Sequence, residues 1–446
     1  MNPVIEIMII LLYFMLFAWI IQKSRFFKTV ALPKYFLLSV FTIKVLAGIA
    51  MAFIYTHYYP IRAEADIFKY FDDSKIMYDS LKENPEDFFR MISGMYGGND
   101  YYYMHTYYYD MNNWYKEFEG ETFNDTHTII RFNAVTRIFS FGIYHVHTVF
   151  VCFLVMIGLV FMYKSAENYF TGKKILLAIS IFLMPSVVFW GSGVLKEALL
   201  LFAMGIFIYC VFDLIKGNLK WYIIAGAGFS FFLLIFLKIY ALLILLPALV
   251  AYAVNLYRKL KFPVISYFIC FGLALVIALN FTLIRENFDI LRILATKQQD
   301  FINHARELNS NSLIDISPLE PTILSFLKNS PIALLNTFTR PYFFESGNPL
   351  MILAGLENSV MALLLILALY KRDQLSSEKK NMFYFLLFYS IMMFVLIGLV
   401  APVTGAMVRY KIPALGMMAA AFVLTCDWKS LLNNHPKLIK LLKIGE

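Results

Sequence analysis

Two aspartates, Asp66 and Asp73, lie in a polar stretch with helical period, and five cations, Lys196, Lys238, Arg340, Arg409 and Lys411, each stand at the edge of an apolar run. Together these residue types suit one kind of chemistry. A carboxylate can take the proton of an attacking hydroxyl, and cations can hold an anion and stabilise the charge that grows on its leaving group. Asp66 and Asp73 are the candidate carboxylates; on a helix they share a side with Tyr70, while Asp72 points elsewhere. Lys196 and Glu197 fall in the first turn of an apolar helix. The helix dipole favours the glutamate there and disfavours the lysine. Gly191 and Gly193 permit close approach, and the exposed N–H groups plus the Lys196 ammonium make a phosphate seat. Two plainer roles for Lys196 are snorkelling and pairing with a carboxylate of the polar stretch.

The elements that must position these groups are set by composition. The 446 residues are 60% hydrophobic and only 15% charged, against about 25% charged in soluble domains. This excludes an ordinary soluble protein. Runs long enough to cross the hydrocarbon core occur at 4–22, 36–57, 143–163, 175–191, 196–214, 220–236, 239–254, 263–283, 349–370, 382–400 and 410–427. The expected fold is therefore an all-α polytopic membrane protein with about eleven transmembrane helices. Twenty of the 39 basic residues collect in the short segments on one side of this path, whereas 58–142 carries 8 basic and 14 acidic residues. The positive-inside rule then puts the N-terminus outside and the C-terminus in the cytoplasm. The opening MNPVIEI has no cationic n-region, so the first run is expected to be a retained helix.

On this reading the chain is one integral membrane domain, 1–446, with two large extracytoplasmic insertions. The first, 58–142, is acidic and tyrosine-rich. It should hold one helix over 63–81 and a second from Thr128, with an aperiodic centre, GMYGGNDYYYMHTYYYDMNNWY, between them. Those tyrosines suit either a headgroup belt or stacking on sugar faces. The second insertion, 284–348, ends in amphipathic segments expected to lie on the outer surface as interfacial helices, with Arg340-Pro341 interrupting the last. Lys44 and Glu357 fall inside apolar runs and need partners there. Cys152, Cys210, Cys270 and Cys426 are far apart without CxxC spacing, and His145 and His147 point to different sides of a helix, so neither a disulfide frame nor a metal pair is indicated. The net charge of +9 lies in juxtamembrane clusters, where anionic headgroups account for it and no nucleic acid is needed.

Three features, the acidic first loop AEADIFKYFDDSK, the helix start PSVVFWGSGVLKE and the closing RYKIP, resemble multispanning glycosyltransferases of the GT-C type and related polymerase-like proteins of bacterial surface-polysaccharide assembly. The resemblance implies a polyprenyl-linked sugar donor, a glycan or lipid acceptor, Asp66 as catalytic base or metal contact, and a bacterial inner (plasma) membrane. It leaves room for a divalent cation, with no metal ligands assigned. In the alternative, a transporter or flippase of a lipid-linked glycan, Lys44 and Glu357 would form a gate. Transporters often carry internal repeats and broken helices, and neither is visible in the sequence, so transfer is the leading expectation.

Overall fold

The computed structural model describes all residues except 1, 29, 31, 59–60, 96–99, 116–124, 286–287, 308–311, 346–347 and 443–446. The principal helices are α1 (Pro3–Lys23), α2 (Phe36–Tyr58), α3 (Asp66–Glu83), α4 (Pro85–Ser93), α5 (Thr126–Ser140), α6 (Tyr144–Ala166), α7 (Lys174–Phe182), α8 (Pro185–Trp190) and α9 (Lys196–Ile215). They continue with α10 (Trp221–Arg258), α11 (Pro263–Leu279), α12 (Ile290–Glu307), α13 (Ile323–Thr339), α14 (Pro349–Tyr370), α15 (Ser377–Val400), α16 (Thr404–Tyr410) and α17 (Ile412–Thr425). Among the described residues there is no β-strand, only two isolated bridges.

Seven helices, α1, α2, α6, α9, α10, α14 and α15, are long and apolar enough to cross a membrane, and α16 with α17, bent by 67°, would make an eighth. The other expected spans take different forms. Pro185 has no N–H to continue a helix, so the run 175–191 is divided into α7 and α8. The runs 220–236 and 239–254 form two helical segments of α10 that meet at a kink, with non-helical backbone at Lys238. The run 263–283 yields the 17-residue α11. Cα packing divides the chain into two compact units: 1–162, 188–210 and 219–239 form the first, and 163–187, 211–218 and 240–446 the second.

In the first unit, Phe17 of α1 stacks on Phe153 of α6 with ring centroids 4.3 Å apart, and Phe14 stacks on Phe41 of α2 at 5.4 Å. Helices α6 and α9 cross backbone to backbone at Gly158 and Gly205, where a Cβ on either glycine would strike the opposite main chain. Lys44, fully buried on α2, donates to the Gly191 carbonyl at 3.4 Å. The polar insertion folds onto this bundle through α3 and α5. Arg137 of α5 is buried, donating to the Phe71 carbonyl at 2.6 Å and to Ser74 Oγ at 2.8 Å. His147 bonds Asn133 and Ser140 at 2.8 and 2.7 Å.

In the second unit, α13 packs along α15 so closely that a Cβ on Gly398 would meet the Ala333 carbonyl, and Thr337 Oγ1 donates to the Phe394 carbonyl at 2.9 Å. One face of α13 is thus held by α15, and the other exposes Leu324, Leu327 and Leu335. The helix runs unbroken through Pro331 and stops at Arg340, instead of being interrupted within a second segment. Lys173 donates to Asp373 at 2.9 Å and to the Leu424 and Cys426 carbonyls at 2.8 Å each, capping the end of α17 where the dipole favours a cation. None of the four cysteines is in a disulfide.

Candidate functional site

The first unit brings cations and carboxylates together at Asp125, the residue preceding α5. Lys196 Nζ, from the first turn of α9, lies 2.7 Å from Asp125 Oδ1, and Lys238 Nζ lies 2.8 Å from Oδ2. The three side chains are only 7%, 12% and 20% exposed, so these pairs are weakly screened by solvent. Lys238 reaches this point because the backbone of α10 leaves helical geometry there, at φ −152° and ψ 83°. Thr128 of α5 donates to the Phe236 carbonyl of α10 at 3.0 Å, tying the two helices beside the cluster.

Tyr70 connects this pair of cations to Asp66. The Lys196 ammonium sits 5.5 Å from the centroid of the Tyr70 ring, and the Tyr70 hydroxyl donates a long 3.5 Å bond to Asp66 Oδ1. Lys69, one turn along α3, lies 2.9 Å from the same oxygen. Asp66 itself stands in the first turn of α3, where the helix dipole favours its charge. Glu197 is buried next to Lys196. The sequence-expected residues Asp66, Lys196, Glu197 and Lys238 therefore belong to one neighbourhood, linked through Tyr70 and Asp125.

Asp73 has another role. It is buried, and its two oxygens accept the backbone N–H groups of Asn112 and Asn113 at 2.9 Å each. Burial pushes its carboxyl up to about 6, against the opposing pull of those two N–H donors. The Asn113 carbonyl in turn accepts from Thr126 Oγ1 at 2.9 Å, and the Trp114 carbonyl pairs with His127 Nε2 at 2.8 Å. Trp114 is sandwiched between Tyr108 and His127, with ring centroids 4.1 and 3.7 Å away. Asp73 thus fixes the loop that fixes the start of α5, and with it Asp125.

The remaining expected cations lie in the second unit. Arg340 pairs with Glu345 at 2.8 Å. Arg409 lies in the last turn of α16. Lys411 is wholly buried and donates to Asn358 Oδ1 at 2.6 Å and to the Thr337 carbonyl at 3.1 Å. Glu357 is held by the Ser186 N–H at 2.7 Å and the Ser186 hydroxyl at 2.6 Å, at the start of α8. Among the described residues no group of three or more His, Cys, Asp or Glu side chains is placed to hold a metal ion.

Sequence reasoning missed Asp125, which is one of several carboxylates between Glu117 and Asp125 and carries no distinguishing pattern. Its one local signal is its place before Thr126, at the start of a helical period. It also missed Asp87, which accepts the hydroxyls of Tyr102, Tyr103 and Tyr107 at 3.0, 2.8 and 2.8 Å. What the fold defines is an all-helical integral membrane protein whose polar insertion is held against the helix ends by a lysine–carboxylate cluster. Compared with models of known families, with curated proteins and with solved structures, the chain matches none of them.

Proposed function

We propose that this protein is a membrane glycosyltransferase or polysaccharide polymerase that moves a sugar or glycan from a polyprenyl (di)phosphate carrier on the extracytoplasmic face. The N-terminus outside and the C-terminus in the cytoplasm, as in a bacterial inner membrane, complete the reading. The observation that carries it is the convergence of Lys196 and Lys238, from two apolar helices, on one acceptor beside Asp66. Asp125 keeps the two ammoniums within reach of a single anion. A carrier phosphate offers the same acceptor geometry with more charge, and N⁺–H···O⁻ bonds to it are among the strong ones.

In the transfer step the acceptor hydroxyl gives its proton to the Asp66 carboxylate as its oxygen bonds to the anomeric carbon. The bond from that carbon to the phosphate oxygen breaks, and the carrier phosphate leaves with the electron pair, its charge held by Lys196 and Lys238. Lys69 and Tyr70 position Asp66, and Asp73 positions Asp125 through the loop. The test uses the full chain in lipid nanodiscs titrated with polyprenyl phosphate, with the matching polyprenol as control. Lys196→Gln or Lys238→Gln should weaken phosphate binding about tenfold, the loss of one charged hydrogen bond. Asp66→Asn should leave binding intact and abolish sugar transfer from a polyprenyl-phosphate sugar. Unchanged binding in both lysine variants would overturn the reading.

A further inference from the structure

Helix α13 runs antiparallel to α15 and finishes well inside its length. The Ala333 carbonyl lies against Gly398, and Thr337 Oγ1 donates to the Phe394 carbonyl at 2.9 Å. Phe394 is six residues from the end of α15, about 9 Å along a helix. Beyond α13 the chain lies against α14. The Phe343 backbone meets Gly355, and Asn358 Nδ2 donates to the Pro341 carbonyl at 3.0 Å. Asn358 is nine residues from the start of α14, about 14 Å. Both α14 and α15 are long and apolar enough to cross a membrane. The polar chain that precedes α13 meets α15 at its end instead: the Ile314 N–H donates to the Pro402 carbonyl and Gln298 to the Leu399 carbonyl, each at 2.8 Å.

We propose that α13 enters the bilayer from that end as a re-entrant half-span, with Ile332 and Leu335 packed against lipid acyl chains and Arg340 at the tip, inside a leaflet whose hydrocarbon is about 15 Å thick. The inference rests on the second unit alone and not on the transfer reading. Three observations favour insertion over a helix lying flat on the surface. A flat helix would pass over the ends of α14 and α15, whereas α13 finishes beside their interiors. The second observation is how its end is satisfied. The last carbonyls of a helix have no partner within it, and at a surface water supplies one. Here buried side chains do so: Lys411 Nζ donates to the Thr337 carbonyl at 3.1 Å and Asn358 Nδ2 to the Thr339 carbonyl at 3.3 Å. Such donors are required where hydrocarbon replaces water, and an ammonium also suits the negative end of the helix dipole. Third, the charges at the tip neutralise one another. Arg340 Nη1 lies 2.8 Å from Glu345, whose other oxygen accepts the Tyr342 N–H at 2.9 Å, and ionised groups within a membrane are paired in this way. The exposed face of α13 is graded in the same direction, with Lys328 nearer the polar chain and Pro331, Ile332 and Leu335 following.

The experiment attaches a nitroxide to single cysteines of the full chain in nanodiscs of zwitterionic lipid. Depth is read from collisions with oxygen, which dissolves in hydrocarbon, and with a nickel chelate, which stays in water. Cys152, Cys210 and Cys426 are buried, so a Cys270→Ala background leaves no accessible native thiol. Lys328→Cys and Leu335→Cys replace exposed side chains two turns apart on one face, so their labels differ in depth and not in packing. Leu363→Cys, on the exposed face of α14, supplies the lipid-facing reference. An inserted α13 puts Leu335 about 10 Å deeper than Lys328, and a flat one puts both at the same depth. The Leu335 label should also share the oxygen preference of the Leu363 label. A depth difference below about 5 Å, half the rise between the two positions, overturns the proposal. So does a Leu335 label that meets the nickel chelate as freely as the Lys328 label. Where Leu335→Cys does not accumulate, Ile332→Cys gives the same reading, with about 6 Å expected from Lys328 and less than about 3 Å overturning it.

Discussion

Replacing Asp73 with asparagine separates a catalytic carboxylate from a positioning one, and the structure sets both the sign and the size of the effect. Burial pushes the Asp73 carboxyl up to about 6 from 3.8. The folded state therefore holds this proton more tightly than the unfolded state does. Below the unfolded value the group costs nothing. As pH rises from about 4 to about 6 the folded state loses stability relative to the unfolded state, and above that the penalty is complete at about 3 kcal/mol. The asparagine side chain does not titrate. It keeps one acceptor oxygen but turns an NH₂ toward the second of the Asn112 and Asn113 N–H groups, at a cost of about 1–3 kcal/mol. Thermal unfolding in uncharged detergent should accordingly show Asp73→Asn about 1–3 kcal/mol less stable than wild type near pH 4, and equal to it or up to about 2 kcal/mol more stable at pH 8. Between these limits the difference should change by about 3 kcal/mol, while every other titrating group cancels in the comparison. Hydrogen exchange at Asn112 and Asn113 reports the same clamp locally, and one of the two amides should lose protection. Because Asp73 acts through the loop, sugar transfer at pH 8 should survive in this variant and fail in Asp66→Asn. A stability difference that stays constant across the pH range, or transfer abolished by Asp73→Asn with both amides still protected, would refute the argument.

Asp125→Ala removes the carboxylate that two little-exposed ammoniums hold at 2.7 and 2.8 Å, and should cost about 3 kcal/mol of stability by thermal unfolding. Adding Lys238→Met to that variant should recover part of the loss, and further destabilisation instead would show that the pairing is not what holds the two helices to α5. At the α6–α9 crossing, Gly205→Ala would drive a Cβ into the Gly158 carbonyl, whereas a Cβ on Gly228 meets nothing within 4 Å. The first substitution should lose at least about 2 kcal/mol or prevent accumulation of folded protein, and Gly228→Ala should behave as wild type in size-exclusion profile and thermal unfolding.

The helices were legible because an apolar run of given length is a local property. Seven helices long enough to span coincide with expected runs, including both that flank the polar insertion, and the two helices of that insertion begin within three residues of their expected starts. What the sequence could not convey was how runs end. The two apolar runs expected to meet at Lys238 do so at one residue of non-helical backbone, but that Lys238 would there meet Asp125, more than a hundred positions away in the chain, is not a local property. Pro185 marks a loosened helix in the sequence and a division in the structure, since a missing N–H is a local fact. That Ser186, just after it, would be a partner of Glu357 through its N–H and hydroxyl is not local.

The same distinction governs the site. Asp66, Asp73 and Tyr70 belong to one side of α3 because helical spacing alone decides which side chains share a face. Their roles diverge because of residues that spacing cannot reach. Asn112 and Asn113 each donate a backbone N–H to one oxygen of the buried Asp73, while Lys69 and Tyr70 touch Asp66 and leave its carboxylate part-exposed, 28% of the side chain facing solvent. A buried carboxylate bonded by backbone donors fastens a loop, whereas Asp66 keeps access to solvent. The tyrosines of the loop divide on the same principle. Asp87 draws Tyr103 and Tyr107 inward because a buried carboxylate needs donors, and their alternating neighbours are thereby turned out to solvent as an exposed row. A single acid within the insertion, unremarkable in the sequence, thus decides which rings build the fold and which face solvent.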